Sequence, residues 1–295
     1  MKLAAVDIGS NAIRMQITSV SQYEGKINFK KVEYLRFPLR LGLDVFNNQK
    51  ISDINRRKFI KLMKAFKILI DLYEVDDYMA CATSAMRESI NGKEIALEVK
   101  EEIGLKINII DGNREAELIN ISLNKFFDEK TYIHIDVGGG STELNLYKER
   151  EKVASKSFQI GSVRSLEDKV ATPVWASMDK FIEKHLQNEP NVTSIGTGGN
   201  INKIFELTQP RKNKRYLDLS KIDEVLAHLG ILTFEERVNK LNLNHDRADV
   251  IIPAGKIYQH VMKAAKSKKM IVPDLGLKDG IIQLLYEKNK AKKPL

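Results

Sequence analysis

Leu3-Ala4-Ala5-Val6-Asp7-Ile8-Gly9-Ser10-Asn11 decides the reading of this chain. An apolar, strand-like run ends in an aspartate, and a glycine with small hydroxyl and amide residues follows at once. Glycine at such a turn lets backbone N–H groups come close to a phosphate. The pattern returns as Ile133-His134-Ile135-Asp136-Val137-Gly138-Gly139-Gly140-Ser141-Thr142-Glu143. A second strand-like run follows each copy, Met15 to Val20 and Glu143 to Tyr147, so each reads as a β-hairpin closed by a Gly-rich turn. A single Asp-x-Gly is usually no more than a tight turn. Two copies in the same setting predict two similar α/β domains, each with a phosphate-binding hairpin, facing one cleft.

The remaining elements fit a duplicated order. Strands Lys2 to Val6, Met15 to Val20 and Ile27 to Leu35 precede a helix from Asp53 to Tyr73. There Phe59, Leu62, Met63, Phe66, Leu69, Ile70 and Tyr73 recur at helical spacing, with Lys58, Lys61, Lys64 and Lys67 between them. Strand Tyr78 to Ala82, helix Lys93 to Ile103, strand Lys106 to Ile110 and helix Arg114 to Phe127 complete the first half. The second half offers strands Tyr132 to Val137, Glu143 to Tyr147 and Lys152 to Gln159. A helix from Val174 to Gln187 and strand Val192 to Ile195 follow, then helices near 201, 220–229, 233–241, 250–265 and 277–289, with a strand at 269–272. With no Gly/Ser or Pro linker between the halves, the hinge is expected near residues 125–131 and in a crossing element near the C-terminus. Arg211 to Arg215 reads as an exposed basic loop and Lys288 to Lys293 as a solvated tail.

Composition sets the class. A chain of 295 residues with 43% hydrophobic and 29% charged residues suits two ordinary soluble domains. No apolar run is long enough to span a bilayer and no signal peptide opens the chain, so the expected location is cytoplasmic, with no membrane partner. The one cysteine, Cys81, reads as a small buried hydrophobe and excludes an internal disulfide. An excess of 48 Lys and Arg over 39 Asp and Glu gives a net charge of +9, which suits a polyanionic ligand. The basic residues are scattered without interleaved aromatics, so nucleic acid is not the expected partner.

The paired turns resemble the two phosphate loops of the actin, sugar kinase and Hsp70 superfamily. Further segments narrow the likeness: Ala82-Thr83-Ser84-Ala85-Met86-Arg87, Gly112-Asn113-Arg114-Glu115-Ala116-Glu117-Leu118, Gly161-Ser162-Val163-Arg164, Gly196-Thr197-Gly198-Gly199-Asn200, Asp246-Arg247-Ala248-Asp249-Val250-Ile251 and Gly276-Leu277-Lys278-Asp279-Gly280. In order and spacing, from about residue 3 to about residue 285, they resemble the exopolyphosphatase/guanosine pentaphosphate phosphohydrolase (Ppx/GppA) family. The resemblance implies an α/β fold of two ribonuclease H-like (actin-like ATPase) domains with an interdomain cleft. The N-terminal domain would comprise 1–125 plus about 278–295, where the final helix packs back on it, and the C-terminal domain 126–277. It also implies a hydrolase that releases phosphate from the end of inorganic polyphosphate or guanosine pentaphosphate, and a homodimer is compatible with it. A superfamily kinase, or a non-catalytic actin-like or alarmone-binding protein, stands as the alternative.

Such a hydrolase must hold anionic oxygens, neutralise charge and aim a water. Backbone N–H groups at Gly9, Ser10, Asn11, Gly138, Gly139, Gly140, Ser141 and Thr142 are expected to cradle phosphoryl oxygens, with side-chain donors from Ser10, Asn11, Ser141 and Thr142. Asp7, Asp136 and Glu143 accept only when ionised, which beside a phosphate suits ligands of Mg²⁺ or another divalent cation. By resemblance Glu115 is the base that activates water; an acidic residue in a first helical turn is equally favoured by the helix dipole. Arg87 matches a family position that contacts phosphate, with Arg164 a second cation. Asp246 or Asp249 is expected to cap a helix. Ala12 and Asn200 depart from the serine and threonine frequent in the family. The chain is also expected to stop after the two-domain core, without the helical C-terminal domains of long members.

Overall fold

The computed structural model describes residues 1–167, 172–209 and 215–291. The chain divides into two compact units, one formed by Met1–Leu123 with Gly276–Leu295 and the other by Asn124–Leu275.

The first unit opens with β1 (Lys2–Ile8), β2 (Ile13–Tyr23) and β3 (Lys26–Phe37), an antiparallel meander. Helices α1 (Leu41–Asn48) and α2 (Asp53–Leu72) follow, then β4 (Asp77–Ala82), α3 (Ser84–Glu88), α4 (Gly92–Ile103), β5 (Ile107–Ile109) and α5 (Gly112–Leu123). β4 and β5 run parallel to β1, giving the sheet order β3-β2-β1-β4-β5. The apolar run of β1 is buried along most of its length, as suits a strand at the centre of the sheet that runs parallel to β4. Phe59, Met63, Phe66 and Ile70 of α2 fill one core with Val6, Ile8 and Met15. Ser52 caps α2 by accepting from the Asn55 N–H at 3.3 Å.

The second unit repeats the plan. β6 (Thr131–Val137), β7 (Thr142–Lys148) and β8 (Glu151–Phe158) form the meander, followed by α6 (Thr172–Leu186), β9 (Val192–Thr197) and α7 (Gly199–Leu207). Then come β10 (Tyr216–Asp218), α8 (Leu219–Ile231), α9 (Phe234–Asn239), α10 (His245–Ala248), α11 (Ile251–Ala264) and β11 (Lys269–Ile271). The sheet order β10-β11-β9-β6-β7-β8 matches the first sheet strand for strand, with β10 added antiparallel at the far edge. Its core joins Ile135 and Leu144 of the sheet to Met178 of α6 and Ile257 and Tyr258 of α11. The chain then returns to the first unit as α12 (Leu277–Asn289).

Several elements differ from the sequence expectation. α1, α3 and β10 are short and carry too few turns to show periodicity. α5 begins at Gly112, earlier than expected, because the Asp111 carboxylate accepts the Arg114 N–H at 2.8 Å and starts the helix there. α10 starts after Asn244, which places Asp246 inside the helix, so the expected capping by Asp246 is not how this helix begins. Lys288 is not part of a solvated tail: it lies in α12 and pairs with Asp77 at 3.0 Å. Residues 211–214 of the basic segment and 292–293 of the terminal lysine cluster lie outside the described residues. Among the described residues, no helix is long and apolar enough to cross a membrane.

Candidate active site

In the first unit, β1 and β2 pair through Ile8 and Ile13, leaving Gly9 to Ala12 as the turn, closed by Gly9 N–H to Ala12 O at 3.2 Å. In the second, Val137 pairs with Thr142, and Gly138 N–H reaches Ser141 O at 2.9 Å. The two turns therefore share one construction.

Most carbonyls of the two turns are tied down. Gly138 O accepts from Ser162 N–H at 2.9 Å, Gly139 O from Val163 and Arg164 N–H at 2.8 and 3.0 Å, and Gly140 O from Arg164 Nε at 2.7 Å. A trans peptide points its C=O and N–H in opposite directions, and no cis bond occurs among the described residues. The N–H groups of Gly139, Gly140 and Ser141 consequently point away from the 162–164 strip, as a row of donors. The first turn follows suit: Ser10 O accepts from Gly42 N–H at 2.8 Å and Asn11 O from Arg40 N–H at 2.9 Å, turning the N–H groups of Asn11 and Ala12 the other way. Successive N–H groups of this kind are able to receive an anion. Gly161 must be glycine for the second turn to sit so: a Cβ there would lie 2.6 Å from the Gly139 and Gly140 backbone.

Two side chains expected to donate to phosphate are used internally. The Thr142 hydroxyl gives its only proton to Ile160 O at 2.6 Å, and the residue is wholly buried. The Ser10 hydroxyl is also buried, 2.8 Å from Ser84 Oγ and accepting from Ala85 N–H at 3.2 Å. Both clamp the turn to its own unit. Arg164 likewise braces Gly140.

The residues facing each other across the hairpins have diverged. In the first unit Asp7 is opposite Arg14, and Arg14 Nη1 lies 3.1 Å from Asp7 Oδ2, so this carboxylate is balanced within the unit. In the second unit Asp136 is opposite Glu143. They are only 9% and 2% exposed, and two like charges directly opposed in a sheet repel. Asp136 Oδ1 accepts from the Thr197 hydroxyl at 2.8 Å and Glu143 Oε1 from Ser157 at 2.8 Å. Among the described residues, no three His, Cys, Asp or Glu side chains form a ready cage for a metal. Mg²⁺ needs none, since one or two carboxylates with water and phosphate oxygens complete its shell. Asp136 and Glu143 fit such an ion; Asp7, neutralised by Arg14, fits it less well. Arg14 was missed in the sequence, although it stands at the position in the first repeat that Glu143 holds in the second.

Glu115 lies in the first turn of α5. Its charge, with those of Asp7 and Arg114, reaches Cys81 on β4, so these groups gather at the C-terminal ends of β1 and β4. Burial first, and then Asp7, push the Cys81 thiol up to about 12, which leaves it protonated and excludes it as a nucleophile. Arg87 donates from Nη1 to Ile110 O at 2.8 Å, at the entrance to α5.

Behind Asp136 the polar groups continue. His134 Nε2 lies 2.9 Å from Thr197 Oγ1, and Asn145 Nδ2 lies 3.1 Å from His134 Nδ1. Burial pushes the imidazole down to about 3, so the ring is neutral. Tyr258 of α11 donates to Thr197 O and accepts from Val137 N–H at 3.3 Å, tying together the ends of β9 and β6. Burial raises its phenol well above the ordinary range.

Two α/β units of one plan, each with a tight turn at a strand end beside acidic groups, define a protein of the actin-like fold class. The chain matches the Ppx/GppA phosphatase family over residues 19–289 and belongs to it. It is 26% identical over 285 residues to the bifunctional 3-dehydroquinate synthase/phosphatase of Fusobacterium nucleatum, covering 88% of this chain but 43% of that protein. It is 21% identical to exopolyphosphatase 1 of Mycobacterium tuberculosis, covering 96% of this chain and 87% of that one. An exopolyphosphatase structure from Cytophaga hutchinsonii shares the fold with a TM-score of 0.85 at 21% identity, covering 98% of both chains.

Proposed function

We propose that this protein is a phosphoanhydride hydrolase that releases orthophosphate from the end of inorganic polyphosphate, with guanosine pentaphosphate as a second substrate of the same chemistry. The observation that carries the reading is the pair of turns in which the carbonyls of Ser10, Asn11, Gly138, Gly139 and Gly140 are engaged from behind, so that the N–H groups of the residues that follow them are turned the other way, as donors for an anion. Polyphosphate offers a succession of identical phosphates to such cradles. Names borne by relatives, exopolyphosphatase 1 among them, support the substrate class.

The chemistry assigned to this chain is simple. The first turn holds the terminal phosphoryl group, and its preorganised N–H dipoles favour the charge that builds on the equatorial oxygens. Glu115 accepts a proton from water as the water oxygen bonds to phosphorus. The bond to the bridging oxygen breaks, its electron pair stays with the shortened chain, and orthophosphate leaves. A divalent cation, Mg²⁺ in the first instance, would be held by Asp136 and Glu143 and would supply charge neutralisation for bound phosphate.

The test is phosphate release by purified protein with Mg²⁺ from long polyphosphate, tripolyphosphate, guanosine pentaphosphate and ATP in parallel. Release from polyphosphate or guanosine pentaphosphate is expected. Release from none of them overturns the reading, and phosphoryl transfer from ATP to an acceptor would replace it with a kinase.

A further inference from the structure

Two polar rungs cross the second sheet side by side. In register, Ser157, Glu143, Asp136 and Thr197 form one on β8, β7, β6 and β9, and Ser155, Asn145 and His134 form the other on β8, β7 and β6. Positions two apart on a strand share a face, so both rungs lie on the same side. His134, Asn145 and Thr197 have no exposed surface at all. Buried polar groups are as a rule hydrogen-bonded, so the partners of each group order its protons.

Thr197 Oγ1 donates to Asp136 Oδ1 at 2.8 Å, which consumes the one hydroxyl proton of Thr197. The Thr197 oxygen must then meet His134 Nε2, 2.9 Å away, as an acceptor, which puts the imidazole proton on Nε2. His134 Nδ1 is left with a lone pair, and it faces the Asn145 amide nitrogen, a donor, at 3.1 Å. Asn145 Oδ1 in turn accepts from the Ser155 hydroxyl at 2.7 Å. All four bonds donate in one direction, from Ser155 at the sheet edge to Asp136 beside the phosphate turn. Aligned bonds polarise one another, which strengthens the last of them.

We propose that His134, carrying its proton on Nε2, is a positioning residue that acts through Thr197 to hold the Asp136 carboxylate in one orientation. The functional part of this inference rests on the reading of Asp136 as a site carboxylate in a phosphohydrolase. The tautomer does not rest on it. Cutting the relay leaves the Asp136 carboxylate free to turn, which weakens it as a ligand for a cation without touching the N–H groups of the turn.

Long-range proton–nitrogen correlation spectra of the full chain, labelled at its five histidines, read the tautomer directly. The signal lost in His134→Gln assigns the residue. Protonation at Nε2 is expected, and a ring protonated at Nδ1 reverses the donor order and overturns the proposal. In phosphate-release assays Thr197→Val is expected to lower kcat about 10- to 100-fold, the worth of a hydrogen bond to a charged group. It should raise the Mg²⁺ concentration for half-maximal rate and leave KM for polyphosphate nearly unchanged. Thr197→Ser and His134→Gln, which keep the donor chain to Asp136, should recover most of that loss, whereas His134→Phe should not. If His134→Phe fails to fold, the Thr197 pair carries the test alone. Wild-type kcat and Mg²⁺ dependence in Thr197→Val would sink the idea. A wild type that releases no phosphate would instead refute the proposed function, and the tautomer would still decide the relay.

Discussion

Glu115 is the group on which turnover is expected to depend most. It stands at the start of α5 within electrostatic reach of the strand ends that carry Asp7 and Cys81. Glu115→Gln keeps the size and polarity of the side chain but removes the base. We expect kcat to fall by roughly 10² to 10⁴ with the melting temperature and polyphosphate affinity retained, the usual worth of a positioned acid or base. Steady-state kinetics beside a binding titration check this, and an active, well-folded variant would remove Glu115 from the mechanism. The two turns were legible because the same pattern occurs twice in the same setting, where a single Asp-x-Gly reads as a tight turn. What each side chain touches was not. Ser10 meets Ser84 and Thr142 meets Ile160 through contacts between separate elements. Those hydroxyls tie their turns to neighbouring elements of the same unit. Arg14 and His134 escaped notice because their partners become visible only when strand register is known.

At the scale of elements, strands and long helices were readable from period and from the repeat, whereas α1, α3 and β10 are too short to carry one. Helix-to-helix closeness was not readable either. Gly280 of α12 lies so near α5 that a Cβ would overlap Leu118 O. Gly280→Ala therefore forces α12 and α5 apart, and α5 carries Glu115. We expect a loss of about 1 to 3 kcal/mol, typical of overpacking, seen as a lower urea midpoint at unchanged slope together with reduced kcat. A variant as stable and active as wild type would mean that the helices close with room to spare. The aromatic group at the start of the second unit predicts a pH limit. Burial first, and then the hydrogen bond to Asp128, raise the Tyr132 phenol from 10.0 to about 12. Burial raises Tyr147, stacked 3.9 Å from Phe127, as well. Between pH 10 and 12 the unfolded chain has lost protons that the folded chain keeps. The stabilisation is present below pH 10 and is lost as pH rises through 12, by about 1 to 3 kcal/mol for Tyr132. Denaturation midpoints followed with tyrosinate absorbance should show this decline, and it should be shallower in Tyr132→Phe.

For the whole molecule the decisive quantity is charge. The chain carries +9 while its proposed substrate is a polyanion, so attraction should raise the encounter rate and be screened by salt. Each phosphate neutralised by a bound cationic group adds roughly −0.7 to −0.9 to the slope of log affinity against log salt, by analogy with nucleic acids. We expect kcat/KM for polyphosphate to fall steadily with salt concentration while the melting temperature changes little. Arg87 tests where that dependence originates. One of its N–H groups holds Ile110 O at the mouth of α5, and the guanidinium has further donors with which to meet a phosphate. If it does both, Arg87→Ala lowers kcat, because α5 loses an anchor, and also flattens the salt slope by about one contact's worth. A fall in kcat with the wild-type slope would confine Arg87 to bracing the helix that carries Glu115, and would place the cations that grip polyphosphate elsewhere.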